Sequence, residues 1–533
     1  MLYSVFISAS EADIFQHEGS GAFVKKCRQP LYRRLSTYLV AVAYAGSIVN
    51  GAFAVDLGAN IPDLVADYLT PLSPEPMPEP GNPDGYVRVR RAIAAKALAD
   101  AHDAGFRFVR GPMTGYRPAD FGDEWNDLRQ WQTNAPAYWA AMDRMFDALD
   151  REHLRLVPTF VWNIRQFPSM ANDPVGVFVR DRKSRSRQLL TQFLQDFIGR
   201  YKDRDTILFY ELTNEMNLEA DLDLSSHCKR PAAPCVRDYF TTEEMIEFSR
   251  QTVALIKSLD PKHMVSSGYS LPRAAAAHLM RRSGFASNGP DWTADSMDEF
   301  RHDLLAIHDP FDIVSAHIYP DAEDIRFGRP AGQQYELAAD VSRAAKAAGK
   351  KFFIGEFGDK SATPFMKGLL DEVVRNDIDY AAIWVWEFYQ TSTYRTYDTD
   401  ATSTNVEPGY SDDIIGLLEK TQRAMGHPPA PHDPASAPRV VLTWPLPCAN
   451  VDKPTDIVAV ASDGARAVET VEFFVNGERL GTVSRPPYTV SLDPKAISDP
   501  TARIEARAVA KSGALAESKI AVTLKGANGT CRD

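Results

Sequence analysis

Two glutamates stand where this chain is best placed to do chemistry. Glu215 closes the apolar run that begins at Thr206 and reads Thr-Ile-Leu-Phe-Tyr-Glu-Leu-Thr-Asn-Glu, and Glu356 follows Lys351-Phe-Phe-Ile-Gly. Both runs are short, rich in β-branched and aromatic residues, and flanked by polar segments, as strands buried on two faces are. A carboxylate at the last residue of such a strand points out of the carboxyl end of a parallel sheet, where α/β folds build their sites. Two carboxylates brought there from distant parts of the chain suit displacement at an acetal carbon. One attacks the carbon while the other protonates the departing oxygen, provided their carboxyl groups lie about 5–5.5 Å apart.

The elements that must position them alternate regularly. Strand patterns are predicted at Val55–Ile61, Phe106–Pro112, Leu154–Phe160, Thr206–Thr213, Met264–Tyr269, Phe311–Ala316, Lys351–Gly355 and Tyr380–Val385. Between them Val87–Ala104, Ala137–Arg151, Ser184–Lys202, Thr242–Leu259 and Gln333–Ala348 repeat apolar residues at helical spacing. Eight strand–helix units predict an α/β fold, a (β/α)8 TIM barrel spanning 55–426. Residues 427–438 carry five prolines and are expected to form a semi-rigid linker. Beyond it, at 439–533, short partly alternating runs separated by turns such as Asn476-Gly477 and Pro486-Pro487 predict a small all-β sandwich.

With these elements in place the constellation becomes specific. Glu211-Leu-Thr-Asn214-Glu215 ends the fourth strand, Glu356 the seventh, His317-Ile-Tyr319 the sixth, and Arg110 lies in the second. This pattern resembles clan A retaining glycoside hydrolases, most of all glycoside hydrolase family 5, the cellulase and mannanase group. The resemblance implies Glu215 as acid/base, Glu356 as nucleophile and Asn214 on the sugar 2-hydroxyl, in cleavage of β-glycosidic bonds by double displacement. Physical reasoning agrees: Arg110 is placed to keep the nucleophile ionised. Burial and a second carboxylate are expected to raise the pKa of the acid. Tyr319 is placed to donate to Glu356, and His317 to bind substrate or orient a neighbour.

The resemblance also suggests a tryptophan under the reacting sugar at the end of strand eight, where Trp384 fits the pattern better and Trp386 is the other candidate. Trp162 and Asn163 follow strand three, where many relatives carry histidine. Glu211 reads as a polar residue of the barrel interior. Val471-Glu-Phe-Phe-Val-Asn-Gly477 and Pro487-Tyr-Thr-Val490 resemble bacterial immunoglobulin-like modules.

Composition excludes several alternatives. A net charge of −12 argues against nucleic acid as a partner. The basic stretch Arg180–Arg187 reads as a solvated loop. There is no Gly-x-Ser-x-Gly elbow, His-Glu-x-x-His, Walker loop or Gly-x-Gly-x-x-Gly after a strand. Glu219, Asp221 and Asp223 have calcium-loop spacing but read as hydrated acids, so neither metal nor cofactor is expected. Residues 1–54 read as a targeting segment, with Lys25 to Arg34 before an apolar stretch and Ala52-Phe53-Ala54 at a cleavage position. Export fits two local cysteine pairs, Cys228 with Cys235 and Cys448 with Cys531. The expectation is a secreted, monomeric enzyme acting on carbohydrate, free of the membrane once its leader is cleaved.

Overall fold

The structure is a computed structural model that describes residues 56–70, 82–115, 128–224, 238–320, 326–388 and 405–524. The expected leader, Cys228, Cys235 and Cys531 lie outside the described residues. Among the described residues no helix is long and apolar enough to cross a membrane.

Eight parallel strands close into a barrel in chain order. They are β1 (Asp56–Asn60), β2 (Phe108–Pro112), β3 (Arg155–Val161), β4 (Tyr210–Thr213), β5 (Val265–Ser266), β6 (Ile313–Ile318), β7 (Lys351–Phe357) and β8 (Tyr380–Ile383). Helices wrap the outside and bury their apolar stripes against the strands. The helix Thr242–Leu259 has the bounds its periodicity predicts, because Thr241 and Glu244 form a capping box that fixes its start. The barrel floor is a separate apolar layer of Phe108, Val157, Leu208, Phe209, Ile313, Phe353 and Ala382. Gly58 belongs to this packing, since a Cβ there would lie 2.5 Å from the Phe108 ring.

Two strands, β4 and β5, fall furthest short of their predicted lengths. Thr206 to Phe209 approach β3 only through an isolated bridge from Leu156 to Ile207. β5 stops at Ser266 because Gly268 turns the chain with φ at 71°. With so short a neighbour, Ser315 on β6 donates its backbone N–H to Nε2 of His308 at 3.1 Å instead. Burial pushes the His308 imidazole down to about 4, so it stays a neutral acceptor.

The C-terminal region forms two sheets. One holds β9 (Arg439–Trp444), β11 (Thr455–Ser462) and β14 (Tyr488–Leu492); the other holds β10 (Asn450–Val451), β12 (Thr470–Val475), β13 (Glu478–Val483), β15 (Thr501–Val509) and β16 (Leu515–Leu524). Asn476 and Gly477, both at positive φ, make the two-residue turn between β12 and β13. The sequence shows that turn but not β13, an edge strand whose mostly exposed residues lack apolar alternation.

The proline-rich segment does not hold the sandwich away from the barrel. It returns the chain onto the helix Pro83–Asp103, where Tyr86, Val89 and Ile93 share one buried cluster with Leu446, Ala449 and Val460. Fully buried Asp100 of that helix accepts from Lys96 at 2.7 Å, from Arg439 of β9 at 2.7 Å and from Ser462 of β11 at 2.8 Å. Partly buried Trp444 also lies along this interface and donates to Thr455. Arg439→Ala removes one partner of a buried carboxylate at a half-exposed site and is expected to cost about 1–3 kcal/mol. Its thermal unfolding midpoint should fall while activity at 25 °C persists; an unchanged midpoint would show that this ion pair holds nothing together.

The basic stretch is also less solvated than its composition implies. Arg187 is buried, donates to the carbonyls of Phe178 and Val179, and lies over the Phe248 ring at 4.3 Å.

Candidate active site

Neither glutamate reaches the barrel mouth by regular strand geometry. Glu215 adopts the left-handed region, with φ 53° and ψ 22°, as the chain leaves β4 for a short 3-10 turn. Its N–H donates to the Gly268 carbonyl at 2.8 Å, and that of Asn214 to Val161 at 3.0 Å. A non-glycine residue held there costs about 1–3 kcal/mol, and such strain clusters at functional sites. On β7, Ala316 pairs with Ile354 but His317 pairs with Glu356, so Gly355 is an extra residue, a β-bulge. Phe353 faces inward, and strict alternation turns Glu356 outward; the bulge turns it back in. Gly355 is required at the bulge because a Cβ there would lie 2.8 Å from Nε2 of His317.

Arg110 is fully buried and forks into four bonds. It donates to Glu211 at 2.7 Å, Asn60 at 2.9 Å, Glu356 Oε1 at 2.8 Å and Asn214 at 2.7 Å. Burial alone lowers the pKa of a guanidinium, but Glu211 and Glu356 outweigh it and keep Arg110 charged. The Tyr319 hydroxyl donates to Glu356 Oε2 at 2.8 Å. Burial and then the Glu356 charge raise that phenol well above its ordinary value, so it remains a donor.

His317 Nδ1 lies 2.9 Å from Glu215 Oε1 and 3.5 Å from Glu356 Oε1. Carboxylate oxygens of the two glutamates approach within 4.8 Å of each other. The side chains differ in access: Glu215 is 35% exposed and Glu356 8%. Burial pushes the Glu215 carboxyl up; where His317 is protonated, its hydrogen bond and charge, followed by Arg110, hold Glu215 below the usual carboxylate range. That direction is opposite to the one expected from the sequence, because the imidazole was not counted as its partner. Glu215, His317 and Glu356 are near enough together to hold a metal ion. The Arg110 guanidinium, however, already supplies positive charge to the same Glu356 oxygen.

The aromatic candidates separate. Trp384 is partly exposed and stacks on Trp162, with ring centroids 6.0 Å apart and planes at 18°. The Trp162 ring lies 4.7 Å from the Arg110 guanidinium. Trp386 is a correction: it is fully buried, meets Phe106 edge-on and donates its indole N–H to the Ala97 carbonyl at 3.0 Å, out of reach of any sugar. Asn163 accepts from the Arg165 N–H at 2.9 Å in a local turn. The acids with calcium-loop spacing have protein partners, Arg165 for Glu219 and Thr242 for Asp221.

Asn60 and Glu211 complete the network; Glu211 is the interior polar residue that the sequence suggested, whereas Asn60 was missed. Asn60 ends β1, donates to the carbonyls of Gly355 and Ile383 at 2.9 and 3.1 Å, and accepts from Arg110. Glu211 accepts from both Arg110 and Thr159. A polar residue closing the first apolar run was the legible signal for Asn60, the same rule that found the glutamates.

A closed parallel barrel with two glutamates facing each other across a buried arginine network is the scaffold of a glycosidase. The chain belongs to the family described as cellulase (glycosyl hydrolase family 5), whose model matches residues 86–390, and a bacterial Ig domain model matches residues 438–506. No curated protein matches it in sequence. Similar solved structures include an endo-beta-1,4-mannanase from Thermotoga petrophila, 16% identical, covering 90% of this chain and 99% of that one with a TM-score of 0.47. An endo-1,4-beta-mannanase from Rhizomucor miehei is 13% identical, with 70% and 94% covered and a TM-score of 0.44. An exo-beta-1,4-mannosidase from Opitutaceae bacterium strain TAV5 is 15% identical, with 69% and 60% covered and a TM-score of 0.40. Likenesses this distant carry nothing about which sugar is cleaved.

Proposed function

We propose that the chain is a retaining β-glycosidase acting by double displacement on a β-1,4-linked glucan or mannan, with Glu356 as nucleophile and Glu215 as acid/base. The observation that carries this reading is the approach of the two carboxylates to within 4.8 Å. It suits direct attack on the anomeric carbon, whereas inversion needs about 6.5–9.5 Å to admit a water between carboxylate and sugar. Arg110 and Tyr319 hold both oxygens of Glu356 and fix its direction of attack. The more exposed Glu215 then gives its proton to the leaving oxygen and later takes one from the incoming water. Asn214, fixed by Arg110, faces the 2-hydroxyl, Tyr319 borders the reacting sugar, and Trp384, backed by Trp162, gives the ring a platform.

The same reading includes export, with residues 1–54 as the leader, and a Cys448–Cys531 bridge. The first-formed product of a soluble β-1,4-glucan or mannan, followed by proton NMR before mutarotation, is expected to carry the β-anomer. An α-anomer at early times would overturn the double displacement.

A further inference from the structure

On the strands that carry the site, four buried polar atoms have no hydrogen-bond partner among the described residues: Oε2 of Glu211, Oγ of Ser266, Oγ of Ser315 and Nε2 of His317. Buried polar atoms without partners are rare in folded proteins. Strand register brings these four together. Ser266 on β5 pairs with Glu211 on β4 and with Ile313 on β6. Ser315 and His317 follow Ile313 at steps of two, on the same inward face. His317 Nε2 and Ser315 Oγ both border the bulge glycine, at 2.8 and 3.4 Å from where a Cβ would stand on Gly355.

What Nε2 meets decides what Nδ1 does. With its proton on Nδ1, the ring donates to Glu215 and stabilises the carboxylate; with the proton on Nε2, Nδ1 accepts and stabilises the acid. Several charged or titratable groups face this pair. Arg110 comes from β2, Glu211 from β4, Glu356 from β7, Tyr319 from beyond β6 and Arg273 from the loop after β5. The Glu356 oxygen at 3.5 Å favours a proton on Nδ1. Only the buried hydroxyls and the Glu211 oxygen favour one on Nε2.

We propose that Ser315, backed by Ser266 and Glu211, selects the tautomer of His317: it accepts the Nε2–H through an ordered water, so that Nδ1 accepts from Glu215 and the acid keeps its proton between turnovers. Ser315 is thus a positioning residue that acts through His317. This inference rests on the reading of Glu215 as the acid/base. The proton given to the leaving oxygen comes from Glu215 and is restored to it from the attacking water, while His317 retains its own proton throughout.

The test is Ser315→Ala in the full chain, with kcat/KM profiled against pH on two substrates. One is cellotetraose or mannotetraose, which needs protonic assistance. The other is 2,4-dinitrophenyl β-cellobioside or β-mannobioside, whichever wild type turns over, whose leaving group departs without it. The basic limb on the tetrasaccharide is expected to move about one pH unit toward acid, and the rate at pH 7 to fall about tenfold. The dinitrophenyl substrate should be almost unaffected, and the unfolding midpoint should not fall. An unshifted limb, or equal slowing of both substrates, overturns the inference. Glu215→Ala is the control: it should slow the tetrasaccharide far more than the dinitrophenyl substrate. If it slows both alike, the assignment of Glu215 itself fails; if it behaves as expected while Ser315→Ala does not, only the tautomer selection fails.

Discussion

Glu356→Ala is expected to reduce turnover about 10⁴–10⁶-fold, the scale seen when a catalytic nucleophile is removed. That corresponds to about 5–8 kcal/mol of lost transition-state stabilisation. The loss should be chemical rather than structural, because Arg110 keeps Glu211, Asn60 and Asn214 as partners. Added azide provides a second readout. The truncated side chain leaves room on the face that Glu356 occupied, and azide attacking there displaces the leaving group that Glu215 protonates. The product should be an α-glycosyl azide. Wild-type turnover in the variant, or a β-glycosyl azide from it, would remove Glu356 from the role.

Arg110→Met should damage stability and activity together. The guanidinium is the shared cation of Glu211 and Glu356, and both carboxylates are buried. Removing one partner of a buried pair leaves an uncompensated charge, at about 3–5 kcal/mol. Loss of the preorganised contact to Glu356 should reduce kcat/KM about 10²–10³-fold. The two effects separate in the double variant Arg110→Met/Glu211→Gln. Neutralising Glu211 should recover much of the unfolding midpoint and almost none of the activity. Joint recovery of both would mean that Arg110 acts only as scaffold.

How much of this was legible in the sequence depends on which physical rule placed each residue. The barrel was, because buried parallel strands and amphipathic helices leave periodicities that survive without any structure. So was the presence of glutamates at the ends of β4 and β7. Their orientation was not. Simple alternation turns Glu356 outward, and only the bulge at Gly355, set by pairing with β6, returns it to the mouth. Trp386 misled for a related reason: two tryptophans two apart at a strand end look equivalent, but one is buried against Ala97 and Phe106 in the helical layer. Asn60, and the role of the interior Glu211, went unread because both hold Arg110, a function defined only by a partner distant in sequence. The proline run was read as a spacer on composition alone, and the apolar face that Tyr86, Val89 and Ile93 offer to the sandwich carries no such label.

For anyone building chimeras, the seat of the sandwich on the barrel sets the rules. The proline run looks like a natural splice site for exchanging modules, yet a cut there strips the cover from one helix and takes away the arginine and serine that serve Asp100. Cargo is better grafted beyond the last described strand and past Cys531, leaving the two folds to travel as one piece.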